Sequence, residues 1–452
     1  MLIRFVVSNF MSFKDETEFN MLPAKGNGSR QLTNHIKKTK SGIEVLKTAA
    51  IYGANASGKS NLIKAIEFLK ELVVFKPDEH LIPQSKRFRL DNAYKLKPST
   101  FRIECYYNKL HFDYGVEIKK GKISQEWLYI IDSVKTGKDH LLYERKENKI
   151  KFGDYFKTKK VNLDYIETFL KKELKEDYSV LHLLYSRVDG TNIFDEIYDS
   201  FLWMKIVTPT SRSSHYMESL TDDLESKKFA EEILSKTNTG IENIVIKEID
   251  ADSFFSYENR DEKNELIDDL ESALEKDPKS KISFYNGKNF HTIRKDKKKY
   301  LVTILKTKHF FSDNLFDFNE ESDGTNRLFE LIPAFEEMNA CDNSVYLIDE
   351  LERSMHPILA KEILRFFTKK SKSNSQLIFT THESHLLDDE ILRRDEIWFT
   401  EKKSDGSTEF YPLSNFNPRG DKVLERGYLE GRYGGIPFLG DFSKLIIEEN
   451  PL

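Results

Sequence analysis

The octapeptide Gly53-Ala54-Asn55-Ala56-Ser57-Gly58-Lys59-Ser60 constrains this chain more than any other stretch, because it fits the pattern G-x-x-x-x-G-K-[ST]. Such a loop works only between a buried strand and a helix, where consecutive backbone N–H groups and the positive helix end converge on phosphate. Both flanks are present. Thr48-Ala49-Ala50-Ile51-Tyr52 is a short apolar run that reads as a buried strand, and Asn61 through Leu69 reads as a helix. The pattern places Lys59 on the β- and γ-phosphates of a nucleotide and the Ser60 hydroxyl on Mg²⁺. Gly53, Asn55, Ala56, Ser57, Gly58, Lys59, Ser60 and Asn61 are the expected nucleotide-binding residues.

At 452 residues the chain is long for one domain, and its 33 Phe and 20 Tyr are ample for a core. No apolar run approaches the about 20 residues a membrane helix needs, so no membrane role is expected. Met1–Ser8 turns polar too soon for a signal peptide. Cys105 and Cys341 lie in apolar surroundings far apart in sequence and read as buried thiols in a reducing compartment, which makes the cytoplasm the expected location. A net charge of −5 argues against coating nucleic acid through the overall field. Basic runs at 157–160 and 294–299 leave a local nucleic-acid contact open, although such runs are more often solvated faces or hairpin tips.

Residues 2–20 carry two alternating runs, Ile3–Val7 and Glu16–Asn20, that predict a β-hairpin. Residues 22–44 are rich in Gly, Ser, Asn and Lys and read as a loop. Phe101–Tyr107, His111–Ile118 and Ile123–Ile130 alternate between turn points at Asn108-Lys109 and Lys120-Gly121. No helix separates them, so they predict an antiparallel layer beside a parallel core. From about 151 to 310 no motif is assignable. Helical spacing at Tyr165–Leu174, Phe229–Leu234 and Leu266, Leu270, Leu274, with strands at Lys281–Tyr285 and Leu301–Leu305, predicts a mainly helical insertion whose apolar stripes face a core. The expected division is 1–150, 151–310 and 311–452.

The second half brings polar motifs back. Glu320-Glu321-Ser322-Asp323-Gly324-Thr325 precedes a helix bearing Leu328, Leu331, Ile332 and Phe335 on one side. Val345-Tyr346-Leu347-Ile348-Asp349-Glu350 is a buried strand ending in paired carboxylates, which places them at the sheet edge where open α/β sheets bind ligands. Asp349 suits a Mg²⁺ ligand, direct or through water, and Glu350 suits polarising an attacking water. Gln376–Thr381 is a second such strand, ending at His382, whose imidazole suits a contact with the γ-phosphate and that water.

Taken together and in this order, Gly53–Ser60, Glu321–Thr325, Asp349-Glu350 and His382 resemble an ABC-type ATPase head of the SMC and RecF branch. Leu347–Pro357, Thr380–Leu387 and Arg426–Pro437 further resemble stand-alone bacterial ATPases described as predicted ATP/GTP phosphatases, encoded in abortive-infection and other anti-phage loci and similar in kind to the ATPases of the PARIS and Septu systems. The resemblance spans roughly residues 1–135 and 315–440. It implies an α/β P-loop NTPase of ABC-head type, a parallel core sheet plus an antiparallel β layer, with an α-rich insertion. It implies ATP and Mg²⁺ as cofactors, with GTP left open, and Glu350 and His382 as catalytic residues. It also implies that Ser322, Asp323 and Gly324 act in trans on nucleotide held by a second protomer, hence a homodimer or higher homo-oligomer. A hydroxyl and a bare backbone N–H at a helix start suit that anion contact. The sequence departs from the branch at Met11, where a basic residue is usual, and in its Glu-Ser-Asp-Gly-Thr signature; Gln125 is the candidate for a lid glutamine. The expected function is a nucleotide-gated dimer that controls an effector such as a nuclease or toxin encoded nearby. The alternative is a RecF-like DNA-repair ATPase.

Overall fold

The computed structural model describes all residues except 25–31, 76–85, 133–136, 159–160, 189–190, 210–213, 256–258, 276, 288, 341–343, 371–373, 417–423 and 438–452. Cys341 and Lys159-Lys160 of the first basic run lie outside the described residues. The chain forms two compact units, one of residues 1–208, 341–352 and 360–452, the other of 209–340 and 353–359.

The first unit is built on two large sheets, with a small pair, Ile36–Lys38 and Glu44–Leu46, in and just beyond the stretch read as a loop. Its six-stranded sheet runs in the order Met204–Val207, Val345–Ile348, Gln376–Thr380, Thr48–Gly53, Ile397–Lys402, Thr408–Pro412. The first five strands are parallel and the last is antiparallel. Every residue of Thr48–Gly53, Val345–Ile348 and Gln376–Thr380 is buried. That is why these strands read as unbroken apolar runs rather than alternations: a parallel sheet is covered on both faces. Helix Lys59–Val74 follows the phosphate loop and buries Leu62, Ile63, Ala65, Ile66, Leu69, Leu72 and Val73, the stripe that 3.6-residue spacing predicts.

The second sheet has seven strands, in the order Lys149–Phe152, His140–Lys146, Lys122–Ile130, Leu110–Lys119, Ser99–Tyr107, Leu2–Ser8, Thr17–Asn20, all antiparallel. The predicted hairpin pairs Arg4 with Asn20 and Val7 with Thr17. At the predicted turn points Asn108, Lys109, Lys120 and Gly121 all have positive φ, as two-residue hairpin turns with the right twist require. One hydrophobic cluster joins residues of both sheets, among them Phe5, Phe101, Phe112, Ala49, Ile51 and Leu347. The parallel core beside an antiparallel layer is the α/β fold expected.

Residues 151–208, read from the sequence as the start of the insertion, have their contacts in the first unit. Helices Leu163–Glu173, Val180–Leu184 and Ile193–Leu202 pack on the same cluster, and Met204–Val207 pairs with Val345–Ile348 as the edge of the core sheet. The second unit mixes helices with strands. Helices Leu224–Lys236, Arg260–Leu274 and Asp323–Ala340 accompany an antiparallel sheet ordered Ile241–Asp250, Lys299–His309, Asn289–Asp296, Ile282–Asn286, with Leu315–Asp317 added to Lys299–His309. Leu270 is fully buried against Phe284, Ile293 and Val302, as its stripe predicts. Among the described residues no helix is long and apolar enough to cross a membrane.

A buried ionic knot holds the helices to the antiparallel sheet. The Glu126 carboxylate accepts from Tyr143 Oη (2.8 Å), Tyr114 Oη (3.1 Å) and the Val180 N–H (2.9 Å), with the Arg145 guanidinium 3.6 Å away. Glu126 and Arg145 are both 0% exposed. Removing one member of such a pair strands the other in a dry interior. Glu126→Ala should destabilise the protein by about 3–5 kcal/mol, and Glu126→Gln by less, read as the urea unfolding midpoint; an unchanged midpoint in the alanine variant would remove this role.

Candidate functional site

The phosphate loop leaves the core sheet at Gly53 and enters its helix at Lys59. Gly58 has φ 113°, and a Cβ there would lie 2.1 Å from Thr408 Oγ1. Gly53 passes so close to Thr400 that a Cβ would meet its carbonyl at 2.5 Å. Both glycines of the motif are thus required by shape. Short polar side chains brace the loop from behind. Ser57 Oγ is 2.5 Å from Thr400 Oγ1, Thr408 Oγ1 bonds the Ser57 carbonyl and Ser12 Oγ (both 2.7 Å), and Asn61 donates to Ser12 Oγ (2.6 Å).

The carboxyl ends of the neighbouring strands bring the other predicted residues to this edge. Ser60 Oγ donates to Asp349 Oδ1 (2.9 Å), and Thr380 Oγ1 donates to the same oxygen (2.6 Å). Thr380 Oγ1 in turn accepts the Glu350 N–H (2.8 Å). Glu350 has φ 49°, a left-handed conformation that a non-glycine residue adopts at a cost of order 1–3 kcal/mol and that clusters at functional sites. Lys59 Nζ donates to the carbonyls of Gly53 (2.7 Å) and Ala54 (3.1 Å) and lies 3.3 Å from His382 Nδ1. Burial pushes the Lys59 ammonium down to about 8, against the pull of Glu352, Asp349 and Glu350. Burial, then the Lys59 charge, also holds the His382 imidazole below its usual value, so the ring is neutral near pH 7. Glu352 accepts the His382 N–H (2.7 Å), and burial pushes its carboxyl up.

A cavity of about 510 Å³ opens beside this edge, lined by Gly53, Asn55, Ser57 and His382 on one side and by Tyr428 and Gly435 on another. Tyr428 sits at the end of helix Leu424–Leu429, packs on the rings of Tyr52 and Phe399, and donates to the Gly435 carbonyl (3.1 Å). The first unit therefore brings together Gly53–Asn61, Asp349, Glu350 and His382. Ser322, Asp323 and Gly324 belong to the second unit. There Ser322 Oγ accepts the Thr325 N–H (3.1 Å) at the start of helix Asp323–Ala340, and a Cβ on Gly324 would meet the Ser354 carbonyl at 2.7 Å. Gln125 lies on strand Lys122–Ile130 and donates to its neighbour Glu117 (3.0 Å). Ser12, Thr380, Glu352, Thr400 and Thr408 were missed by motif reading. Only Thr380 had a signal, its place two residues before His382.

The donor set suits Mg²⁺. A serine hydroxyl and a carboxylate are hard oxygen ligands, and Mg²⁺ characteristically takes one or two protein oxygens, with substrate phosphates and water completing its shell. A glycine loop at a strand–helix junction, beside strands ending in Asp-Glu and His, defines a P-loop nucleoside triphosphatase. Family comparison agrees with the geometry: residues 49–174 and 134–388 match the family described as "AAA domain, putative AbiEii toxin, Type IV TA system". The chain belongs to that family, and it is a P-loop ATPase. No curated protein matches it. Similar solved structures include the SMC head domain from Thermotoga maritima (14% identity, 91% of this chain and 98% of that chain, TM-score 0.38). Two others are an SMC head bound to the C-terminal winged-helix domain of ScpA (13%, 92% and 98%, 0.43) and an SMC head with an extended coiled coil bound to the C-terminal domain of ScpA from Pyrococcus furiosus (14%, 92% and 97%, 0.39).

Thr380 joins the two acids of the site through one hydroxyl. Thr380→Val keeps the shape but leaves the Glu350 N–H and an Asp349 oxygen each short of a partner, which should cost about 1–3 kcal/mol and reduce ATP turnover. Denaturation and a phosphate-release assay check it; wild-type values in both would show the hydroxyl to be dispensable.

Proposed function

We propose that the protein is a Mg²⁺-dependent ATPase that works as a nucleotide-gated homodimer, controlling a partner effector such as a nuclease or toxin in anti-phage defence. The observation that carries the reading is the Ser60–Asp349 contact with Glu350 and His382 beside it, because these four groups meet the separate needs of phosphoryl transfer at one sheet edge. The family's description links such chains to toxin–antitoxin systems, which is the biological setting proposed for this one.

In this mechanism the loop N–H groups and Lys59 hold the β- and γ-phosphates, Lys59 exchanging its bonds to the Gly53 and Ala54 carbonyls for phosphate oxygens. Ser60 and Asp349 would hold Mg²⁺, which neutralises charge on the transferring phosphate. Glu350 accepts a hydrogen bond from the attacking water and polarises it. His382, neutral near pH 7, bonds to the γ-phosphate or to that water. Ser322 and the Gly324 N–H, at a helix start, meet the γ-phosphate held by the second protomer, so two sites form across a two-fold axis. Hydrolysis removes the contact that both chains share, and release of the dimer is the signal.

Two variants separate the parts of this scheme. Glu350→Gln should keep ATP binding, lose about 10²–10⁴-fold in kcat and accumulate as an ATP-bound dimer; light scattering that finds a monomer with saturating ATP would argue against the shared site. Ser322→Arg should still bind ATP in calorimetry but fail to hydrolyse it, whereas full turnover would end the trans role of the signature.

A further inference from the structure

A second concavity of the first unit has no part in the scheme above. It measures about 530 Å³ and lies between the hairpin tip at Phe10, the middle of the phosphate-loop helix at Phe68, the segment 86–97 and the turn at Lys120-Gly121. Phe68 and Ile118, each 7% exposed, and Phe10, 2% exposed, form its apolar floor over the buried Phe101. The rest of the lining is dominated by six cations, Lys86, Arg87, Arg89, Lys95, Lys97 and Lys120, and among the described residues includes no carboxylate. Among the described residues it shares no lining residue with the cavity at the phosphate loop.

Charge is the informative feature. The chain as a whole carries −5, yet five positive groups of the segment 86–97 and a sixth, Lys120, line one hollow. Like charges so gathered repel by about 1 kcal/mol per pair at 4 Å even in water, and in the run at 294–299 the first two cations are neutralised. Arg294 is gripped by Glu248 (2.8 and 2.9 Å) and Lys295 by Glu271 (2.6 Å). In this hollow the neutralisation is less complete. Among the described residues Arg87, Arg89 and Lys95 make no ion pair, while Lys86 and Lys97 rest over the rings of Phe68 and Tyr94. Asp91, the one acid within 86–97, is taken by Lys14 (3.1 Å) and the Ala93 N–H (2.9 Å). Glu67, on the adjoining helix, feels the Lys86 charge but does not line the hollow.

We infer that this cavity is a second anion site, taking a phosphorylated small molecule of nucleotide size with its phosphates on the ring of lysines and arginines and its flat ring on the aromatic floor. The volume falls within the roughly 300–1,000 Å³ of small-molecule sites. The cations line one hollow instead of forming the extended track along which a nucleic-acid backbone binds. The inference is independent of how the phosphate loop works.

The test uses full-length Lys59→Ala, in which phosphate-loop binding is removed, titrated calorimetrically with ATP, with inorganic triphosphate and with a 12-nucleotide oligothymidylate. ATP should bind one site per chain, more tightly than inorganic triphosphate, and Arg89→Glu with Lys95→Glu in the same background should weaken it at least tenfold. Both side chains are exposed, so an unchanged unfolding midpoint will certify the fold of that variant. Failure of both ATP and triphosphate to bind Lys59→Ala would overturn the site, as would an affinity indifferent to the two charge reversals. Equal affinity for ATP and triphosphate would overturn the role of the aromatic floor. Oligothymidylate binding more tightly than ATP at the same salt would replace the small-molecule site with a nucleic-acid track.

Discussion

The Asp349 carboxylate is the point at which the separate pieces of this site are tied. It closes a buried strand, accepts the hydroxyl at the start of the phosphate-loop helix, and accepts a second hydroxyl from the next strand. One oxygen atom thus fixes the relative position of three elements, its partners lying 289 and 31 residues away in sequence. Each neutral hydrogen bond contributes only about 1 kcal/mol, and one to a charged acceptor about 1.5–3. The arrangement is nevertheless stiff, because the strands beneath are held by continuous parallel pairing, Leu347 with Ile378 and Ile378 with Ala49. A parallel sheet with both faces covered leaves its strand ends little freedom, and the chemistry inherits that rigidity.

The antiparallel layer contributes to the same end by a different route. Its first hairpin places Ser12 where it bonds Asn61 and Thr408, so the loop is braced from the layer as well as from the core. Thr400 and Thr408 come from the last two strands of the core sheet and fill the space that the two motif glycines leave open. A glycine is required at residue 58 because of its φ of 113° and because a threonine hydroxyl already occupies the side-chain position. The loop's shape is therefore imposed by its neighbours as much as by its own sequence.

This explains what the sequence made legible and what it concealed. The phosphate loop, Asp349-Glu350 and His382 could be read because their chemistry demands particular residue types at strand ends, and buried parallel strands write themselves as apolar runs. The hairpins at 108–109 and 120–121 could be read from alternation and turn residues. Met204–Val207 could not: it is four residues long, follows directly on helix Ile193–Leu202, and acquires its strand character only by pairing with Val345–Ile348. In the sheet of the second unit Ile241–Asp250 was obscured in the same way, since it alternates weakly and carries three acids that partly serve as counter-charges, as Glu248 does for Arg294. Ser12, Thr400 and Thr408 are ordinary polar residues whose importance lies wholly in tertiary placement.

The same edge carries energetic costs that make sense only with a ligand in view. Glu350 is held in a left-handed conformation by its N–H bond to Thr380 and by the following Leu351 N–H on the Thr380 carbonyl (3.1 Å). Lys59 is buried deeply enough that its ammonium is destabilised, and it relieves this by turning onto the carbonyls of its own loop. A structure optimised for stability alone would exchange the first for glycine and the second for an apolar side chain. Both retained costs act in one direction. In the proposed mechanism a phosphate entering the loop supplies a counter-charge in direct contact with Lys59 and draws it off the loop carbonyls, while the strained Glu350 backbone is already set before substrate arrives. The strain and the desolvation are the local price of a site assembled in advance.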